Sequence, residues 1–108
     1  MRLVSRIEEI ILLSICRLES DAYGIAILEE VRKATGKTWL TGSIYASLGR
    51  LLKHGLVESL EGEPSPERGG RRKIYYRVSP DGLQALRKIR KINSAIWIDI
   101  PLFEGKEK

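Results

Sequence analysis

The sequence predicts a mostly helical α+β fold in which three helices, a two-stranded hairpin and a long closing helix follow one another. Two observations predict it. Apolar side chains recur at three-to-four-residue spacing in four segments, which is the period of a helix with one buried face. Before the last of these segments, two strand-like runs flank a loop rich in glycine and proline, a pattern typical of a hairpin. A chain of 108 residues supports one hydrophobic core.

The first predicted helix covers residues 5–19 and begins with a capping box formed by Ser5 and Glu8. Its middle is apolar nearly all round, because isoleucine and leucine occupy most positions between residues 7 and 18. A helix on the edge of a small monomer cannot bury such a surface. We therefore expect it to pack both on its own domain and on a second subunit.

The second and third helices have clear end signals. Asp21 precedes the second helix, which ends near Gly36. Thr41 is expected to cap the third helix, which ends at Gly55 just after His54. Their predicted buried faces are Ile25, Ile27, Leu28 and Val31 in the second helix and Ile44, Leu48, Leu51 and Leu52 in the third.

The hairpin and the closing helix complete the chain. Residues 56–60 and 73–78 are the predicted strands, with a glycine- and proline-rich tip at residues 62–70. Ser79 caps the closing helix, Pro80 occupies its first turn and Pro101 ends it. We expect its buried stripe to consist of Leu83, Leu86, Ile89, Ile92 and Ile96.

This order of elements is that of a winged helix-turn-helix domain with an additional C-terminal dimerisation helix. We assign residues 1–78 to the winged, DNA-binding part and residues 79–108 to the dimerisation helix and tail. The residues expected at the dimer interface are Ile7, Ile11, Leu86, Ile89 and Ile96.

Positive charge is segregated along the chain. The net charge is +5, and residues 68–77 hold five basic side chains and no acid. The face of the third helix opposite its apolar stripe is small, polar and cationic, as a helix entering a major groove must be. The expected DNA contacts are Thr41, Ser43, Tyr45, Ser47, Arg50 and Lys53 on the helix and Arg68, Arg71, Arg72 and Lys73 on the hairpin. The alternative interpretation is a solvated amphipathic helix and a soluble loop.

Composition argues against an enzyme and against a secreted or membrane protein. Cys16 and His54 are the single cysteine and histidine, so no internal disulfide, cysteine-based zinc site or Ser–His pair is indicated. Cys16 and Trp39 are expected in the core. The longest apolar run is far below the roughly 18 residues that a spanning helix needs. We expect a cytoplasmic protein without metal or cofactor.

Two segments resemble the signatures of the phenolic-acid-responsive PadR repressors. Residues 42–51 (GSIYASLGRL) with 54–57 (HGLV) resemble that family's recognition helix, and residues 69–79 (GGRRKIYYRVS) resemble its wing. Tyr23 and Gly24 are similar to the start of its second helix, whereas Ala46 stands where members usually have proline. The closing helix resembles the short subclass, for which the resemblance implies a homodimer built from the first and last helices.

Trp97 has two interpretations. One is packing at a dimer seam, and the other is the wall of an apolar pocket for a flat ligand. Some short PadR members bind aromatic compounds between paired tryptophans, so the resemblance implies a small aromatic effector at Trp97. The sequence thus predicts a homodimeric, sequence-specific double-stranded-DNA-binding regulator, a repressor, acting on an inverted repeat with half-sites about 34–36 Å apart. The alternatives are a dimeric ligand- or protein-binding winged-helix protein without DNA function, and an RNA-binding winged domain.

Overall fold

The computed structural model describes residues 4–64, 69 and 72–101, and it confirms the predicted fold class. Four helices and a two-stranded antiparallel sheet follow in the predicted order. The elements are α1 (Arg6–Leu18), α2 (Gly24–Thr35), α3 (Thr41–Lys53), β1 (Val57–Pro64), β2 (Arg72–Val78) and α4 (Pro80–Trp97), with a 3₁₀ turn (Glu19–Asp21) after α1.

Local capping fixes the starts of α1 and α4. The Ser5 hydroxyl accepts a hydrogen bond from the Glu8 amide at 3.2 Å, and Glu8 Oε1 accepts one from the Ser5 amide at 2.9 Å, which is the predicted capping box. The Ser79 hydroxyl accepts from the Gly82 amide at 3.0 Å and donates to the Gly55 carbonyl at 2.6 Å. Ser79 therefore joins the end of α3 to the start of α4.

The predicted cap of α3 is wrong. Leu40 occupies the N-cap of α3 and makes no side-chain cap, so Thr41 is the first residue inside the helix. Asp21 belongs to the 3₁₀ turn, and Tyr23 precedes α2. The predicted end of α2 is confirmed, because Gly36 adopts the left-handed conformation with φ +70°.

The hairpin is longer than predicted and is joined to the start of α2. Val57 pairs with Val78, and the register slips near Pro64, which pairs with Arg72. The Tyr76 amide donates to the Ala22 carbonyl at 2.8 Å, and Tyr23 forms a bridge with Tyr75. Backbone hydrogen bonding therefore fixes the wing relative to α2.

One core holds α1, α2, α3 and β1 together. Its buried members are Ile11, Leu12, Ile15, Ala22, Ile27, Leu28, Val31, Ile44, Leu48, Leu51 and Val57. Ile11, which was expected at the dimer interface, is completely buried in the chain's own core and leaves no surface for a second subunit in this structure; its interface role stays a prediction. Leu52 and Ile25, expected on buried faces, are exposed, as is Cys16, while Trp39 packs against the core as predicted.

The far half of α4 extends beyond the core. Ala85 is buried and Leu86 and Ile89 are half-buried, but every residue from 90 to 101 is exposed. The expected burial of Leu83, Ile92 and Ile96 is therefore wrong within one chain. The radius of gyration, 16.3 Å, exceeds the about 13 Å of a compact 100-residue domain, as a projecting helix requires. No helix among the described residues is long and apolar enough to cross a membrane.

Candidate nucleic-acid interface

The outward face of α3 is small and polar and has no carboxylate. The helix packs inward through Ile44, Leu48 and Leu51, each at most 1% exposed. Its exposed positions are Thr41, Gly42, Ser43, Tyr45, Ala46, Gly49, Arg50, Leu52 and Lys53. Short side chains fill its first turns, so a ligand can approach the backbone closely, and its two cations lie in the last turn.

Tyr45 lies across the start of α2. A Cβ at Gly24 would come within 2.6 Å of Tyr45 Cζ, so only glycine leaves room for the ring. The phenol is 41% exposed and lies beside the first turn of α2. Burial, and secondarily Tyr45, raise the pKa of Tyr76 on the neighbouring strand. Tyr45 is thus held at the junction of α2, α3 and the wing.

Arg50 is partly engaged by its own chain. Its Nε lies 3.4 Å from Glu8 Oε2, and its Nη2 donates to the Ser47 hydroxyl at 2.9 Å. The Arg50 side chain is 50% exposed, whereas the Glu8 side chain is 1% exposed. Ser47 was expected to contact DNA; it is only 3% exposed in the free chain and its hydroxyl accepts the Arg50 hydrogen bond, and its DNA contact stays a prediction.

Glu8 has a second role that was not predicted from the sequence, where it stood only as a cap. It lies three, four and seven residues before the buried Ile11, Leu12 and Ile15. A carboxylate within the apolar stripe of a helix is the signal for a buried ionic partner.

The wing has mixed charge in its described part. Lys73 Nζ lies 4.1 Å from the centre of the Tyr23 ring, a cation–π contact. Arg72 Nη1 is 3.4 Å from the Gly62 carbonyl, and Arg77 pairs with Glu58 at 2.7 Å. Arg68 and Arg71 lie outside the described residues. Among the described cations of the wing, Arg72 and Lys73 are therefore the ones without a carboxylate partner.

An open groove of about 620 Å³ separates α1 from α4. Trp97, 58% exposed, lies at one end of it. The other lining residues are Glu9, Leu13, Leu83, Leu86, Arg87, Arg90, Asn93 and Ser94. Of the remaining residues expected at a dimer interface, Ile7 and Leu86 pack partly against the core, Ile89 is half-buried and Ile96 is 64% exposed.

No group of three or more potential metal ligands occurs among residues 4–64, 69 and 72–101. The arrangement offers a helix face and a hairpin for a polyanion, and an apolar groove for a ligand or a second protein.

The family model described as the transcriptional regulator PadR-like family matches residues 12–88. A PadR-like transcriptional regulator from Bacillus cereus is 27% identical over 83% of this chain and 82% of its own, with a TM-score of 0.69. RosR from H. salinarum is 22% identical, and the match covers 93% of this chain and 83% of RosR with a TM-score of 0.72. A PadR family regulator from Clostridium difficile is 24% identical, and the match covers 82% of this chain and 88% of that regulator with a TM-score of 0.66. No curated protein matches the sequence.

Proposed function

Because this chain belongs to the PadR-like family of transcriptional regulators, a family of DNA-binding regulators rather than enzymes, we propose that it is a cytoplasmic homodimeric repressor of an inverted-repeat operator. The observation that carries the proposal is the outward face of α3, which is exposed, small and free of acids over a full 13-residue helix.

The proposed DNA contacts follow from that exposure. Short side chains in the first turns of α3 allow its backbone to approach base edges in the major groove. Thr41 and Ser43 supply hydroxyls there, the Tyr45 phenol donates to a phosphate, and Lys53 supplies a cation for another phosphate. The wing cations, which are Arg68, Arg71, Arg72 and Lys73, bind phosphates beside the groove.

A homodimer is supported by the uncovered apolar surface. Leu13 on α1 and Ile92, Ile96 and Trp97 on α4 are each 44–64% exposed in the single chain. A second copy related by a two-fold axis would cover both helices and set the two α3 helices about 34–36 Å apart, the spacing of successive major grooves. Residues 1–78 then form the DNA-binding part, and residues 79–108 the dimerisation helix and tail.

A flat aromatic effector is proposed for the groove beside Trp97, which lines the groove and is 58% exposed. Such a ligand releases the operator only if it binds the DNA-competent and DNA-incompetent dimers with different affinities. Repression rather than activation rests on the family resemblance of the two sequence signatures.

Selection from a random duplex library with the purified protein tests the DNA-binding role. We expect enrichment of an inverted repeat and affinity at least about 10³-fold above that for random duplex. The replacement of Ser43 by Leu is expected to abolish enrichment, while Lys91→Gln on α4 serves as a control that retains it. A folded dimer that enriches no sequence would favour the ligand- or protein-binding alternative, and preference for an A-form RNA competitor would favour the RNA-binding one.

A further inference from the structure

A buried carboxylate connects α1 to the outward face of α3. Glu8 Oε1 accepts the Ser5 amide at 2.9 Å, and Glu8 Oε2 lies 3.4 Å from Arg50 Nε. The two residues are 42 positions apart in the sequence, and the Glu8 side chain is 1% exposed. One carboxylate therefore caps the first helix and also pairs with the third.

The same contact restrains Arg50. Its Nη2 donates to Ser47, one turn earlier on α3, at 2.9 Å, so the guanidinium is held both by its own helix and by α1. Extension of the Arg50 side chain away from α1 towards a base or a distant phosphate would break both contacts. Separating it from Glu8 would weaken the pairing of a charge that is buried, which is costly.

Lys53 provides the contrast within the same helix. It lies three residues after Arg50, is exposed, and forms no ion pair with any residue that the structure describes. In the last turn of α3, Arg50 therefore has a counterion within the described part of the chain and Lys53 has none there.

We propose that Glu8 is a positioning residue for DNA binding: it holds Arg50 as an internal link between α1 and α3 and withholds this cation from DNA phosphates. The inference rests on the proposed DNA-binding function. It assigns phosphate neutralisation at the end of α3 to Lys53 and assigns to Arg50 the orientation of the recognition helix relative to α1.

The salt dependence of binding to random duplex tests this assignment, because each cation that neutralises a phosphate contributes about 0.9 to the slope of log affinity against log salt concentration. Slope changes are given per protomer, and a homodimer that engages both α3 helices shows twice the change. We expect Lys53→Gln to lower the slope by about 0.9 and Arg50→Gln to leave it unchanged. Glu8→Gln retains a side chain suited to the capping box but loses the charge, so it frees Arg50. We expect Glu8→Gln to steepen the slope by about 0.9 and to tighten random binding at low salt.

A purely structural role for the pair would change the melting temperature of the Glu8 and Arg50 variants and leave the slopes of those variants at the wild-type value. Equal slope losses for Arg50→Gln and Lys53→Gln, or an unchanged slope for Glu8→Gln, would overturn the proposal. Because Arg50→Gln leaves the Glu8 carboxylate without this partner and can unfold the chain, the double variant Glu8→Gln/Arg50→Gln provides a neutral pair. Its slope should equal that of the wild type, and a slope lower by about 0.9 also contradicts the proposal.

Binding by the wild-type protein distinguishes a failure of the proposed DNA-binding function from a failure of the role assigned to Glu8. A folded wild-type dimer that does not bind duplex at low salt refutes the proposed function together with this inference. A wild type that binds, with variants that fail the expected order of slopes, refutes only the role of Glu8.

Discussion

Substitution of Gly24 by alanine tests how Tyr45 serves DNA binding. The added Cβ would lie 2.6 Å from Tyr45 Cζ and 2.8 Å from Cε1, well inside van der Waals contact. The ring is 41% exposed and lies at the end of a flexible side chain, so it can swing into solvent. In the proposed complex the Tyr45 phenol reaches a phosphate, and losing one hydrogen bond to a charged group costs about 1.5–3 kcal/mol. The proposed homodimer loses one such bond at each half-site, so we expect operator affinity to fall by at least about 100-fold.

Stability should change little in the same variant. Gly24 is the first residue of α2, and alanine there stabilises the fold by about 0.4–1 kcal/mol because it restricts the unfolded chain more than glycine does, which offsets the lost packing of a half-exposed ring. Fluorescence anisotropy with labelled operator measures the affinity, and urea unfolding measures the stability. The matched control is Gly82→Ala, whose Cβ would meet the Leu56 backbone, with its carbonyl carbon at 3.1 Å, and should destabilise the fold because backbone cannot swing aside.

Wild-type operator affinity in folded Gly24→Ala would refute this reasoning, as would a loss of stability equal to that of Gly82→Ala. The double variant Gly24→Ala/Tyr45→Phe gives a second check. If the alanine acts by displacing the phenol, removing the hydroxyl adds no further loss, so the two effects should be strongly non-additive.

Three further predictions follow from burial, capping and titration. Ile11→Asp should unfold the chain, as measured by circular dichroism, because Ile11 lies in the core. Ile96→Asp should leave each chain folded and separate the dimer into monomers, as measured by sedimentation. A folded Ile11→Asp variant would contradict the core assignment. Ser79→Ala should cost about 0.5–2 kcal/mol in urea unfolding through loss of the cap, and an unchanged midpoint would show the cap to be dispensable. Although Cys16 is exposed overall, partial burial of its thiol raises the thiol pKa. Less thiolate is then present at neutral pH, so alkylation should be slower than that of free cysteine and accelerate at higher pH; a rate equal to that of free cysteine at pH 7 would contradict this.

Interactions between residues that are close along the chain can be predicted from the sequence. Ser5 caps α1 through a residue three positions away, and Ser79 does the same for α4, so a short motif contains the whole interaction. The Glu8–Arg50 contact spans 42 residues and depends on how α1 and α3 pack, which no local pattern contains. The site could be predicted as a helix face, but not which of its cations already has a counterion.

Apolar periodicity also cannot distinguish the two surfaces of a helix that is apolar on both. Ile11 and Leu13 both belong to the apolar run of α1, yet Ile11 is fully buried in its own chain and Leu13 is 44% exposed. Likewise the stripe of α4 continues without interruption from Leu86 to Ile96, although the core extends only to its first half. The apolar periodicity predicts which side chains are buried, but it does not distinguish burial within the same chain from burial against a second chain.

The uncovered half of α4 has a consequence for gene dosage. If the operator-binding unit is assembled from two protomers through this surface, the amount of that unit rises with the second power of protein abundance at concentrations below the assembly constant. Halving the cellular pool would then reduce the active form about fourfold. Assembly through the exposed apolar half of α4 would therefore make promoter occupancy change more steeply than the amount of protein synthesised.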